Sequence, residues 1–186
     1  METIVCPYCH VNSTIDLRTH ADGFNIYQCD NCSGLMLLIE KGREVVDQYP
    51  KRIPMVDKSV PPEISRDYTE AIKCFNVGAN RGCVVMCRRA LQSSVIERGA
   101  RKGRLVDQID ELYGNQIITK DIRDWAHEIR LTGNIGAHPD DDGLEDIQPD
   151  NAEELLKFME EYLNYVYIMP AKVAAKRARK HKETEE

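Results

Sequence analysis

Two short cysteine pairs constrain this chain more than any other feature in it. Cys6-Pro7-Tyr8-Cys9 and Cys29-Asp30-Asn31-Cys32 form a CxxC…CxxC pattern with nineteen residues between the pairs. Each CxxC turns tightly and presents two thiolates to one ion, so two such knuckles complete a tetrahedral site of four cysteines. A site filled by four protein ligands keeps no open position for substrate, which makes the expected Zn2+ structural. His10 and His20 fall outside the knuckle spacing and are not expected as ligands.

The residues between the knuckles fit a zinc ribbon. Thr14–Arg18 and Phe24–Gln28 alternate like strands around the turn Ala21-Asp22-Gly23, where Asp-Gly is the strongest turn signal. Leu35–Ile39, after Gly34, offers a third strand. The ribbon is acidic: Glu2, Asp16, Asp22, Asp30, Glu40, Glu44 and Asp47 face only Arg18, Lys41 and Arg43. Phosphate contact needs the opposite sign, so a protein-contacting or purely stabilising ribbon is the better expectation. From Tyr49-Pro50 to Pro61-Pro62 the chain carries four prolines and no periodicity, as an extended linker does.

Beyond the linker the apolar spacing is helical throughout. Helices are expected over Ile64–Val77 with Ser65 as cap, from Asn80 to about Arg98, over Leu105–Tyr113, and from a Thr119 cap into Trp125–Leu131. A long fifth helix starts at Asp150 or Asn151, buries Leu155, Leu156, Met159, Leu163, Val166 and Tyr167, and is interrupted or kinked at Pro170. Five helices with short connections describe an antiparallel bundle. The fold class is thus α+β in two modules: a ribbon over residues 1–48, a linker over 49–62, an all-α bundle over 63–170 and a charged tail over 171–186. Cys74, Cys83 and Cys87 sit among apolar neighbours and are expected to pack as small hydrophobes.

The net charge of −6 is unevenly spread. Arg81, Arg88, Arg89, Arg98, Arg101, Lys102 and Arg104 meet only Glu97 in their own stretch. Asp140 to Glu161 is acidic, and Lys172 to Lys182 is basic again. Such segregation suits self-association or an anionic ligand on one face. No apolar run reaches the roughly 18 residues of a membrane span. The N-terminus has no basic start or apolar stretch of a signal peptide, so a cytoplasmic protein with reduced thiols is expected.

The stretch from Trp125 to Pro139 gathers Arg130, Asn134 and His138 around Gly133 and Gly136. An arginine, an amide and an imidazole this close can grip a phosphate and move a proton. The alternative is a helix C-terminus capped at Gly133 and Asn134, with His138 satisfied by a backbone carbonyl.

The runs Pro62-Glu63-Ile64…Asp67-Tyr68-Thr69-Glu70-Ala71, Cys87-Arg88-Arg89-Ala90-Leu91-Gln92 and Ile129-Arg130…Gly133-Asn134…Ala137-His138 resemble a family of small bacterial and phage domains of unknown function. That family is placed in the HEPN superfamily of helical nucleotide-binding and ribonuclease domains, and the resemblance covers residues 61–170. It implies a helical bundle, often homodimeric, found in phage-defence and RNA-cleaving systems. The superfamily's motif is an arginine, a polar residue, three variable residues and a histidine. Asn134 and His138 match it, and the arginine position falls on Gly133. Arg130, or Arg88 or Arg89, would have to supply the guanidinium, with His138 as acid/base and no catalytic metal. The resulting expectation is an RNA- or nucleotide-binding protein whose endoribonuclease activity is in question. Its rival is a non-catalytic interaction module that meets a protein partner through the ribbon and the acidic loop.

Overall fold

The computed structural model describes residues 3–21, 24–42, 44–101, 103–134 and 147–185. The chain divides into two compact units, Met1–Met55 and Val56–Glu186. It is α+β in two modules, strands first and helices after.

The first unit is a five-stranded antiparallel meander: β1 (Thr3–Val5), β2 (Asn12–Ala21), β3 (Phe24–Cys29), β4 (Leu35–Lys41) and β5 (Glu44–Tyr49), paired in sequence order. Ala21 pairs with Phe24, so only two residues join β2 to β3. That is the loop length at which Asp-Gly is favoured. Register shifts between Leu17 and Thr19 and between Ile39 and Glu40 bend the sheet, as bulges do. Alternation along β4 puts Met36 and Leu38 into a small core with Cys6, Ile15 and Cys29. β1 and β5 are additions to the three strands expected from the sequence. No residue of β5 is buried, so it carries no apolar alternation to read.

In the second unit, α1 (Pro62–Asn76) lies against α2 (Asn80–Glu97), followed by α3 (Leu105–Gly114), α4 (Lys120–Asn134) and α5 (Pro149–Leu163). Val84, Cys87, Leu91 and Val95 form the buried face of α2, as their spacing implies, with Cys83 and Ala90 beside them. α5 contributes Leu155, Phe158, Met159, Tyr162 and Leu163; Leu156, expected inside, is only half-buried. Phe158 is fully buried in this core, with Trp125 edge-on at 5.1 Å and Tyr162 at 5.8 Å between ring centroids.

Expected starts move at α1, at α2 and at α5, which begins at Pro149 with Gln148 as its cap rather than at Asp150 or Asn151. α1 begins at Pro62 rather than after Ser65, because proline's fixed φ suits the first helical turn and its missing N–H is no loss there. α2 begins at Asn80 itself, with Ala79 as its cap. Thr119 does cap α4, its hydroxyl accepting from the Ile122 amide at 3.3 Å. At α5 the Asn151 side chain accepts from the Gln148 amide at 3.1 Å.

Pro170 does not end the helical chain. A π-helical turn, Asn164–Ile168, follows α5 directly and leads into α6 (Met169–Glu185). The wider turn has a local cause. Proline cannot donate to the carbonyl four residues back and its ring crowds that group. Here that carbonyl belongs to Val166, and it accepts instead from the Arg98 guanidinium at 2.9 Å. Widening to an i→i+5 pattern relieves the crowding, and Met169 donates back to Asn164.

Below this turn lies a buried polar chain. The Ser94 hydroxyl lies 2.9 Å from the hydroxyls of both Tyr162 and Tyr167, and Tyr167 donates to Glu97 at 2.8 Å. Burial, first of all, pushes the Tyr162 and Tyr167 phenols above their ordinary range. Both therefore stay protonated donors at neutral pH.

Candidate metal centre

The two knuckles fold by the same local rule. The Cys6 amide donates to the Val11 carbonyl and the His10 amide to the Cys6 carbonyl, each at 3.0 Å. In the second knuckle, Cys29 donates to Gly34 at 3.0 Å and Ser33 donates to Cys29 at 2.8 Å. His10 and Ser33, four residues after the first cysteine of each knuckle, both take φ of 60°. That left-handed conformation costs a non-glycine residue something, and it closes each loop so that both thiols point inward.

The sulfurs of Cys6, Cys9, Cys29 and Cys32 lie within 4.8 Å of one another. Cys6 and Cys32 are 3.7 Å apart, and Cys9 and Cys29 are 3.9 Å apart. A tetrahedron with metal–sulfur bonds of about 2.3 Å needs sulfur–sulfur edges of about 3.8 Å. The arrangement therefore fits one metal ion held by four thiolates. The Tyr8 amide donates to Cys6 Sγ and the Asn31 side-chain amide to Cys9 Sγ, both at 3.4 Å. Such donors spread the negative charge of a ligand thiolate and fix its orientation. His10 and His20 do not join the cluster; His20 bonds Asn25 instead.

The electrostatics of the cluster favour a bound cation. Burial raises the Cys29 thiol, but hydrogen bonds from Ser13 and the Cys32 and Asn31 amides outweigh it and bring the group down to about 6. The Gly34 amide pulls Cys32 down, yet burial and its hydrogen bonds with the other three thiols push it up to about 12. Thiolates this close cannot all ionise unaided. A divalent ion would remove that conflict by stabilising all four charges together.

Tyr8 and Gly34 lock the knuckles to each other. The Tyr8 hydroxyl donates to the Leu35 carbonyl at 2.8 Å, and a Cβ on Gly34 would sit 2.5 Å from the Tyr8 ring. Gly34→Ala should displace the ring and cost the unit about 1 kcal/mol, the usual worth of one hydrogen bond. A chelator-competition titration would register this as a metal affinity lowered by about fivefold. An unchanged affinity would mean that the ring is not part of the support.

The other expected site residues are not brought together among the described side chains. Arg89 pairs with Asp67 at 3.0 Å, a carboxylate almost wholly buried on α1, and Arg88 is likewise engaged. The basic stretch on and after α2 is largely neutralised by acids distant in sequence as well as near: Arg98 meets Glu97 at 3.3 Å, Arg101 meets Glu111 at 3.0 Å and Arg104 meets Asp107 at 2.9 Å. Arg130 and Asn134 lie on the last turns of α4, which runs helically through Gly133. Their side chains fall outside the described set, and His138 and most of the acidic loop lie outside the described residues.

The stretch that reads in sequence as a charged tail over 171–186 is helical through Glu185. Residues 171–180 of α6 are all exposed and carry Lys172, Lys176, Arg177, Arg179 and Lys180 without one acid. The signal was present in the sequence, but nothing there marks the helix as continuous past Pro170. Among the described residues, no helix is long and apolar enough to cross a membrane.

A family described as a domain of unknown function (DUF4145) matches residues 69–181. The curated proteins and the solved structures gave no match.

Proposed function

We propose, for a chain that belongs to the DUF4145 family of domains of unknown function, that it binds RNA through its C-terminal basic helix. The observation that carries this reading is α6, which sets five positive charges on ten consecutive exposed residues. At 1.5 Å per residue they cover about 15 Å, the span of several phosphates. The four-cysteine cluster acts as a structural Zn2+ site, since soft thiolates at tetrahedral spacing favour that ion. It steadies the first unit and takes no part in chemistry. Full-length protein should bind a labelled single-stranded RNA, and the joint substitution of Lys172, Lys176 and Arg179 by alanine should weaken binding at least tenfold at low salt. Equal binding by that variant would remove α6 from the interface.

The HEPN-like reading of residues 61–170 adds a sharper expectation. Within it the chain pairs as a homodimer in a phage-defence setting. His138 acts as acid/base, Asn134 and Arg130 hold the phosphate, and Arg88 and Arg89 contact the nucleic acid. Cleavage that persists in EDTA and disappears in a folded His138→Gln variant is the expected sign of it. Intact RNA after incubation with folded wild-type protein would leave binding without catalysis.

One observation favours a protein partner at the ribbon. Phe24 pairs across the sheet with Ile39, and Ile26 with Leu37, so these side chains share one face. On that acidic module Phe24 and Leu35 are half exposed. An apolar sheet face with acidic surroundings suits a basic protein surface better than a phosphate backbone.

A further inference from the structure

A groove of about 530 Å³ lies in the helical unit between the end of α2, the α3–α4 connection, the π-helical turn and α6. Its walls are apolar on both sides: Ile117 and Val166 from the bundle, Met169 and Val173 from α6. Met169 and Val173 are each about half exposed, at 48% and 47%, although they border a concave surface. Two guanidiniums, Arg98 and Arg177, stand in the same lining.

Arg98 is held rigidly. It stacks 4.1 Å from the centre of the Tyr167 ring and donates to the Val166 carbonyl at 2.9 Å. Its buried Nε has no hydrogen-bond partner, although Glu97 lies 3.3 Å away as an ion pair. With Glu97 counted against Arg98, Arg177 leaves about one unit of positive charge at the groove. The π-helical turn supplies Tyr165 and Val166 to the wall, and such turns recur at functional sites.

We propose that this groove is a binding site for a small organic anion with an apolar body, a medium-chain carboxylate being the simplest case. Its volume falls in the range of small-molecule sites, which are apolar with a few fixed polar groups. Among the described residues, Tyr165 supplies the one polar side chain of the lining apart from the two arginines. Among the described residues, that lining holds no carboxylate, amide or aliphatic hydroxyl to read sugar hydroxyls or base edges, so a nucleotide is a poor fit. A carboxylate head reaches Arg177 and the rim of Arg98, while the chain lies along Ile117 and Val173. The groove shares Arg177 with the basic stretch of α6, but its binding of an amphiphilic anion does not depend on RNA binding.

The test is calorimetric titration of the full chain with decanoate below its micellar concentration. Decyltrimethylammonium and inorganic phosphate serve as the two half-ligands. The groove predicts saturable one-to-one binding of decanoate and little binding of either control. Arg177→Gln and Val173→Asp should each weaken it by about tenfold, with helix content unchanged by circular dichroism because both positions are exposed. Absence of saturable decanoate binding, equal binding of the cationic amphiphile, or unchanged affinity in either variant overturns the proposal.

Discussion

Cys29→Ser is expected to abolish metal binding and unfold the first unit while leaving the helical unit intact. The core of that unit comprises Cys6, Ile15, Cys29, Met36 and Leu38, with Ile4, Cys9 and Tyr27 packed against it. Two of the buried members, Cys6 and Cys29, belong to the four-cysteine cluster. So small an apolar cluster cannot offset the ordering entropy of about 50 residues. A metal ion held by the four thiolates would supply the difference, since structural zinc sites contribute roughly 10–16 kcal/mol at neutral pH. Serine at position 29 removes one thiolate and leaves a polar hydroxyl in a fully buried place. Metal analysis should then fall from one ion per chain to a small fraction. Limited proteolysis should degrade residues before about position 55 and spare the remainder. A variant that keeps its metal and its protease resistance would show that three thiolates suffice, and that the sheet does not rest on the full set.

The second large effect lies in the helical unit. Phe158→Ala should cost about 3–5 kcal/mol, the range for emptying a buried aromatic site. Phe158 is fully buried, and its ring meets Trp125 edge-on and Tyr162 at a tilt. The three come from two helices, so collapse of the cavity would require α4 and α5 to move together. For a unit of this size the loss corresponds to a fall in Tm of roughly 10–20 °C. Trp125 is the chain's single tryptophan, so its fluorescence follows this unit without interference from the ribbon. A fall of only a few degrees would mean that the α4–α5 packing is not the centre of the core.

What could be read beforehand follows from where the sequence carries a periodic or pairwise signal. The clustering of the four cysteines and β2, β3 and β4 were legible because cysteine spacing and apolar alternation are local. β5 was not, since Glu44–Tyr49 buries nothing and so alternates nothing. The α2 face was readable at helical spacing, whereas Phe158 and Tyr162 were missed on α5 because its apolar stripe is wider than the one assumed. The charge pattern misled in an instructive way. Arg89 and Arg101 belong to a basic stretch of sequence, yet Asp67 and Glu111 reach them from other helices. Pairing of this kind depends on tertiary structure and leaves no trace in local composition. The π-helical turn was equally hidden, because Arg98, which satisfies the carbonyl that Pro170 orphans, lies far away in sequence.

The most direct test of RNA binding by α6 is the salt dependence of affinity for a short single-stranded RNA, measured on the metal-loaded full chain. Each phosphate contact contributes about −0.7 to the slope of log K against log salt concentration. Engagement of all five basic residues between positions 171 and 180 predicts a slope of about −3.5, falling to about −1.5 when Lys172, Lys176 and Arg179 are replaced by alanine. A slope near zero, or a steep slope that the substitutions leave unchanged, would contradict binding through this helix.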